Sequence, residues 1–377
     1  MARHGCNNYH ASMVALAAIL GTVIVVGVLV EAFETVVLPR RVTRRFRLTR
    51  AFYRYTWAPF SAVARRIQKV KRREGLLALY GPMSLLLLIA LWAVGMVFGF
   101  ALLQWAAGST LEGSGLGRSF TTDLYFSGST FFTLGMGDVT PHASVSRLLA
   151  VVEAGMGFGF LAMVISYLPV LYQGFSRREL NVSLLDGRAG TPPTAAELLR
   201  RNSDPQDGNL REILHEWEHS AAEMLESHIS YPVLGYFRSQ HDNQSWISAL
   251  TAILDATALC QAGIDGAPAR QAQLTFAMAR HAVVDLAQVF NTPPHDPPEP
   301  RLTRDSLEVL RSQLAEAGVQ LSLTPETEQR LAKLRSMYEP YVTALAEYLL
   351  VPLPPWFRPP QARDNWRTSR WGGAFTV

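Results

Sequence analysis

Residues 133–138, Thr-Leu-Gly-Met-Gly-Asp, form a short polar turn between two long uncharged stretches. Upstream, Gly75–Leu111 has no charged residue over 37 positions, and downstream Ala154–Ser176 has none. Each stretch is long enough to cross a bilayer core as a helix. At membrane depth, non-helical backbone is tolerated only where protein buries it or where it lines a water-filled path. This turn therefore constrains the fold more than any other stretch. Glycines at alternate positions, Gly135 and Gly137, permit φ > 0. A strand of that kind turns successive carbonyl oxygens toward one axis. Thr133 adds a hydroxyl at one end, and Asp138 stands where it can tie the other end to the protein behind it. The pattern is that of a strand lining a pore.

The charge distribution supports a membrane protein with a separate soluble part. Residues 1–175 hold 16 Lys and Arg against 7 Asp and Glu, a net of +9, whereas residues 176–377 hold 19 against 24, a net of −5. Ala11–Val30 is uncharged, and its apolar pattern runs past Glu31 and Glu34 to Leu38, which reads as a retained first span. Glu31 and Glu34 are expected to form a boundary pair neutralised by Arg40 and Arg41. Residues 39–74 carry 13 basic residues and one acid, Glu74, interleaved with aromatics. That density marks a cytoplasmic loop, read as an amphipathic helix on anionic lipid headgroups rather than a nucleic-acid site. Positive-inside logic then gives three spans, the N-terminus outside and the C-terminus in the cytoplasm. Cys6 and Cys260 have neither the number nor the spacing of a disulfide framework or a metal site.

The stretch Thr133–Asp138, with Thr130 in the helix before it and Pro141 after it, resembles the selectivity filter of the potassium channel family, usually Thr-Val-Gly-Tyr-Gly-Asp. Leu134 and Met136 depart from that form. The resemblance covers roughly residues 80–175. It implies an outer helix, a pore helix near 120–132 and an inner helix, with four chains around one axis. It also implies main-chain coordination of K⁺ by Thr133, Leu134, Gly135, Met136 and Gly137, with carbonyls replacing the ion's hydration shell. Asp138 and Thr130 would support the filter, and K⁺ would be the permeant ion with no resident cofactor. Gly157 stands 20 residues after Gly137, where the family has its gating glycine; Gly155 and Gly159 flank it. Such a run weakens a helix or admits close neighbours. Pro169 is expected to kink or break the inner helix. Glu153 is the one carboxylate inside a span, either a buried strut bonded to Ser129 or Thr130 or a cavity-lining group. No arginine repeat of a voltage sensor and no G-x-G-x-x-G after a strand is visible.

The remainder reads as helical, with a Pro/Gly linker at Asp186–Pro193 and helices near 194–202, 209–230, 243–263, 268–290, 302–318 and 325–351. Asn243 and Thr324 are the marked helix starts. His215-Glu216-Trp217-Glu218-His219 fits H-E-x-x-H, a zinc-hydrolase pattern, with Glu223, His228 or His241 as possible third ligands. Five glutamates around it point instead to a solvated face. The polar stretch Tyr236–Trp246 would serve as a satisfied junction or bind a cytoplasmic ligand.

These readings combine into an all-α membrane protein. A tetrameric potassium-channel-like pore module (75–176) is preceded by an N-terminal transmembrane helix (1–38) and the basic linker (39–74). A soluble helical domain (177–353) and an irregular tail (354–377) follow. The expected function is a non-enzymatic potassium or weakly selective cation channel in the cell membrane. A membrane-anchored zinc protease and a non-conducting scaffold are the competing readings.

Overall fold

The computed structural model describes residues 2–38, 47–108, 111–113, 119–202, 208–240 and 244–358. Arg40, Arg41, the glycines of 114–117, His241 and Asn243, and the tail beyond 358 lie outside them. The described chain is helical but for one short strand pair, and it divides into two compact units.

The first unit comprises residues 1–66 and 82–171. It holds α1 (Ala2–Ala32), which a π-helical turn extends to Val37, and α2 (Leu48–Arg66). It also holds most of α3 (Val70–Ala106), all of α4 (Phe120–Phe131) and the first part of α5 (Ser144–Ala189). Stretches of α1, α3 and α5 are long and apolar enough to cross a membrane. Glycines bring α1 and α3 together: a Cβ on Gly21 would stand 2.7 Å from the Gly99 carbonyl oxygen, and one on Gly99 2.7 Å from Val25. Small residues of this kind let two membrane helices approach backbone to backbone. The Glu31 carboxylate accepts from Leu48 N at 2.9 Å and from Thr49 N at 3.1 Å, so it caps the start of α2. An anion at a helix N-terminus satisfies amides that have no partner inside the helix. Glu34 meets Arg47 at 4.0 Å. Arg40 and Arg41, the pair expected to neutralise these carboxylates, lie outside the described residues.

The second unit comprises residues 67–81 and 172–377. Its core is α8 (Trp246–Ala262), buried at every position from Trp246 to Cys260. Ile247, Leu250, Ile253 and Leu254 are fully enclosed, and each such side chain contributes roughly 1.5–3 kcal/mol by leaving water. Around α8 stand α6 (Ala195–Asn202), α7 (Asn209–Ser230), α9 (Ala269–Phe290), α11 (Pro325–Ser336) and α12 (Glu339–Leu349), while α10 (Arg304–Glu316) packs on α6.

Four expectations need correction. The inner helix does not stop at 176; α5 runs unbroken for 46 residues through Pro169 and through much of the expected linker. A proline removes one backbone bond, and the turns on either side carry the helix across it. Beyond Ser176 the helix is held by Arg178, buried, which donates to the carbonyls of Leu234 (2.7 Å) and Phe237 (2.8 Å). It ends only at Gly190, whose φ is +80°. The outer helix likewise starts at Val70, ahead of the uncharged stretch that opens at Gly75. The helix expected over 325–351 is two helices, broken at Met337–Tyr338, because Pro340 removes an amide from the new first turn and Tyr338 turns inward. The start of α8 is capped by Ser245, which accepts from Ser248 N at 3.0 Å, rather than by Asn243. Thr324 caps α11 ahead of Pro325, as its sequence indicates.

Candidate ion-conduction site

The strand Thr133–Gly137 hangs from the C-terminus of α4. Ser119 caps the start of that helix, accepting from Thr122 N. At the other end Thr133 N donates to Thr130 O at 3.0 Å and Leu134 N to Ser129 O at 2.8 Å. These bonds anchor the base of the strand to carbonyls that the helix leaves unpaired.

Thr133, Gly135 and Gly137 have φ of 56°, 57° and 77°; Leu134 and Met136 between them do not have positive φ. Reversing the sign of φ at every second residue cancels the alternation that sends neighbouring carbonyls of a β-strand to opposite sides. The carbonyls of such a strand collect on one side. For glycine this costs little, but a β-branched residue with positive φ is strained by about 1–2 kcal/mol. Thr133 therefore holds its conformation against that strain, through its bond to Thr130. Phe132, Leu134 and Met136 are more than half exposed within one chain.

The outer end of the strand is tied twice. Tyr125 in α4 donates its hydroxyl to Asp138 Oδ2 at 2.9 Å. Directly after Asp138 comes β2 (Val139–Pro141), which pairs antiparallel with β1 (Leu111–Gly113), Glu112 opposite Thr140. Arg147 at the start of α5 donates to Pro141 O at 3.0 Å. Sequence reasoning placed Asp138 as a brace but missed Tyr125 as its donor and missed the strand pair. A tyrosine 13 positions before an aspartate carries no local signal of contact.

Behind the strand, Glu153 is fully buried. Its Oε1 is bonded to Ser127, not to Ser129 or Thr130 as expected. Two residues along a helix are about 200° apart, so Ser127 turns to the buried side while the carbonyls of Ser129 and Thr130 serve the strand. The Ser127 hydroxyl also meets the Val97 carbonyl of α3 at 2.8 Å, which links α3, α4 and α5 at one point. Glu153 Oε2 has no hydrogen-bond partner. Four residues further, a Cβ on Gly157 would stand 1.9 Å from the Phe131 carbonyl oxygen, whereas Gly155 and Gly159 face open space. Of the three glycines, only Gly157 is where the inner helix touches the end of the pore helix. Pro169 is exposed on α5.

The histidine motif is on the solvated side of α7. His215, Glu216 and His219 are exposed, with Glu216 bonded to Arg188 and Glu218 to Gln271. His228, nine residues beyond His219, points to the opposite, buried face. Burial and then the neighbouring Arg178 guanidinium push its pKa down to about 3, so it is neutral. Its Nδ1 donates to Met224 O at 2.8 Å, leaving Nε2 to accept from Arg178 at 3.2 Å. Both ring nitrogens are thus engaged. Among the described residues no group of three or more His, Cys, Asp or Glu could hold a metal ion. In the polar stretch, Tyr236 meets Tyr348 (2.8 Å), Arg238 donates to Leu349 O (2.6 Å) and Ser239 to Glu179 (3.1 Å). These described members are engaged by protein groups.

Residues 86–173 match the model of a family described as ion channel. Over 238 residues the chain is 24% identical to the uncharacterized membrane protein YdjJ of Bacillus subtilis (strain 168), covering 60% of this chain and 68% of that protein. No solved structure matches. The residues matched by that ion channel model contain the alternating strand, the helix it hangs from and the inner helix behind it.

Proposed function

We propose that the protein is a potassium-favouring channel built from four copies of this chain. The observation that carries the reading is the alternation of backbone sign at Thr133, Gly135 and Gly137 within Thr-Leu-Gly-Met-Gly-Asp. One such strand supplies a quarter of a ring, and carbonyl rings replace the hydration shell of K⁺. Thr133, Leu134, Gly135, Met136 and Gly137 coordinate the ion through main-chain oxygens, and Asp138, Thr130 and Glu153 support them. The exposed Phe132, Leu134 and Met136 are then covered by neighbouring copies. Gating acts on α5, with Gly157 as its contact with the pore helix and Pro169 as the weak point below. The N-terminus lies outside and the second unit in the cytoplasm, as the basic residues of 39–74 indicate.

The test is K⁺ efflux from vesicles containing the purified full chain, with chemical cross-linking to count subunits. The reading predicts efflux, a four-chain ladder, and loss of efflux in Gly135→Ala with the ladder intact. A protein that stays below four chains and passes no K⁺ would contradict it.

A further inference from the structure

We propose that α2 is an interfacial platform whose arginine flank takes the headgroups of anionic phospholipids. The helix has three distinct faces. Thr49, Tyr53, Trp57, Ser61 and Ala64 are buried along one side. The side turned about 150° away, at 100° per residue, is apolar and open. There Leu48 is 57%, Tyr55 76% and Val63 54% exposed, with exposed Pro59 and Ala62 between them. Arg54, exposed, falls on the flank between these two faces, and exposed Arg66 closes the open side in line with Leu48. Residues 48–66 contain four arginines and no acid.

A 19-residue helix with that charge cannot span a bilayer, but it does not have the polar outer face of a soluble helix either. An apolar face with a basic flank is the pattern of a helix lying in the headgroup plane. Tyr55 suits that plane, having an apolar ring and a polar tip. The arginines stand beside the apolar face, where their forked donors match phosphate oxygens. The start of α2 is also fixed at the end of the first candidate span. Glu31 on α1 holds the amides of Leu48 and Thr49, and Thr35 meets Thr49 at 3.3 Å. The helix therefore begins where α1 ends, at the end of a candidate span, where headgroups would lie. Charge complementarity selects the anionic kind.

The test labels position 55 of the full chain with a fluorophore through Tyr55→Cys, with Cys6→Ser. Cys260 does not compete, because burial pushes its thiol up to about 12. Vesicles carry the same fraction of a shallow nitroxide quencher on phosphatidylglycerol or on phosphatidylcholine. The expected result is quenching in both, about twofold stronger from phosphatidylglycerol; that excess shrinks in high salt and is lost in Arg54→Gln plus Arg66→Gln. The salt titration on the arginine-bearing protein holds the proposal to account even if the double variant folds poorly. Equal quenching by the two lipids would overturn the anionic preference. Quenching by aqueous iodide alone would overturn membrane contact, and shielding from every quencher would assign the face to a second copy of the chain. None of these readouts needs an ion current, so their failure is separable from failure of the channel reading.

Discussion

Glu153 in the first unit and Asp255 in the second are both fully buried carboxylates, and they are treated in opposite ways. Asp255 accepts from Arg301 through both oxygens, at 3.1 and 2.6 Å, and from the Tyr338 hydroxyl. Glu339 and Arg335 extend the cluster, and both arginines stack over Trp356. Burial opposes the Arg301 charge, but Asp255 more than offsets it, and the Arg301 pKa is raised. Glu153 has Ser127 at one oxygen, nothing at the other, and among the described residues no cation. A buried charge that is matched group for group holds a fold together. A buried carboxylate left half satisfied at a contact of three helices is costly, and such groups mark functional places in membrane proteins. The second unit uses its polar interior to fix one shape, whereas the first leaves Glu153 half satisfied where α3, α4 and α5 meet.

The largest expected effect removes the partner of the satisfied carboxylate. Arg301→Met leaves Asp255 buried and uncompensated, which typically costs about 3–5 kcal/mol. Denaturant unfolding of the purified chain, followed by tryptophan fluorescence, should show that loss. A change below about 1 kcal/mol would mean that the cluster is not the structural centre described.

Next comes Gly157→Ala, which drives a methyl into the Phe131 carbonyl, while Gly159→Ala meets open space. Overpacking of this sort costs about 1–3 kcal/mol. Here it acts on the residue two before Thr133, so ion flux should fall with it and should be nearly unchanged in Gly159→Ala. Equal effects of the two substitutions would identify general helix flexibility, not this contact, as what matters.

Glu153 gives a smaller and sharper test. The Val97 carbonyl can only accept, and Ser127 has one hydroxyl proton. For both contacts to be hydrogen bonds, the Glu153 side has to donate. Glu153→Gln keeps a donor at that place and should keep flux, whereas Glu153→Ala leaves Ser127 bonded to Val97 alone, breaks the link to α5 and should cost about 1–3 kcal/mol of stability along with flux. Loss of flux in Glu153→Gln as severe as in Glu153→Ala would show that the carboxylate itself is required. The smallest effect is expected from His215→Ala plus His219→Ala on the exposed face of α7. Their stability change should stay within about 0.5 kcal/mol, with metal content by mass spectrometry unchanged.

Legibility in the sequence divided along similar lines. The two long uncharged stretches and the alternating glycines were readable because bilayer thickness and backbone sterics act on residues near one another in the chain. Helix limits at 209–230 were readable from local punctuation for the same reason. What failed was long-range. That Glu153 reaches Ser127 depends on the rotational phase of two helices, which a count of residues does not fix. That α5 continues past Pro169 depends on Arg178 finding the carbonyls of Leu234 and Phe237, more than 50 positions away. The split at Tyr338 follows from its burial against Asp255, although Pro340 was in plain view. The HEWEH stretch shows the reverse hazard: its helical spacing was right, and His228, the histidine that is buried, faces the other way.

The central claim is that the strand at 133–137 selects K⁺ by its backbone, with Met136 standing where the potassium channel filter it resembles has an aromatic. A methionine packs adaptably behind the carbonyls and lacks a phenol hydroxyl. The direct measurement is the bi-ionic reversal potential, K⁺ against Na⁺, of the wild type and of Met136→Tyr in the same planar bilayer. The account predicts a wild-type reversal displaced toward K⁺, and a larger displacement in Met136→Tyr. A wild-type reversal at zero, or no current in a protein that assembles as four chains, would contradict it.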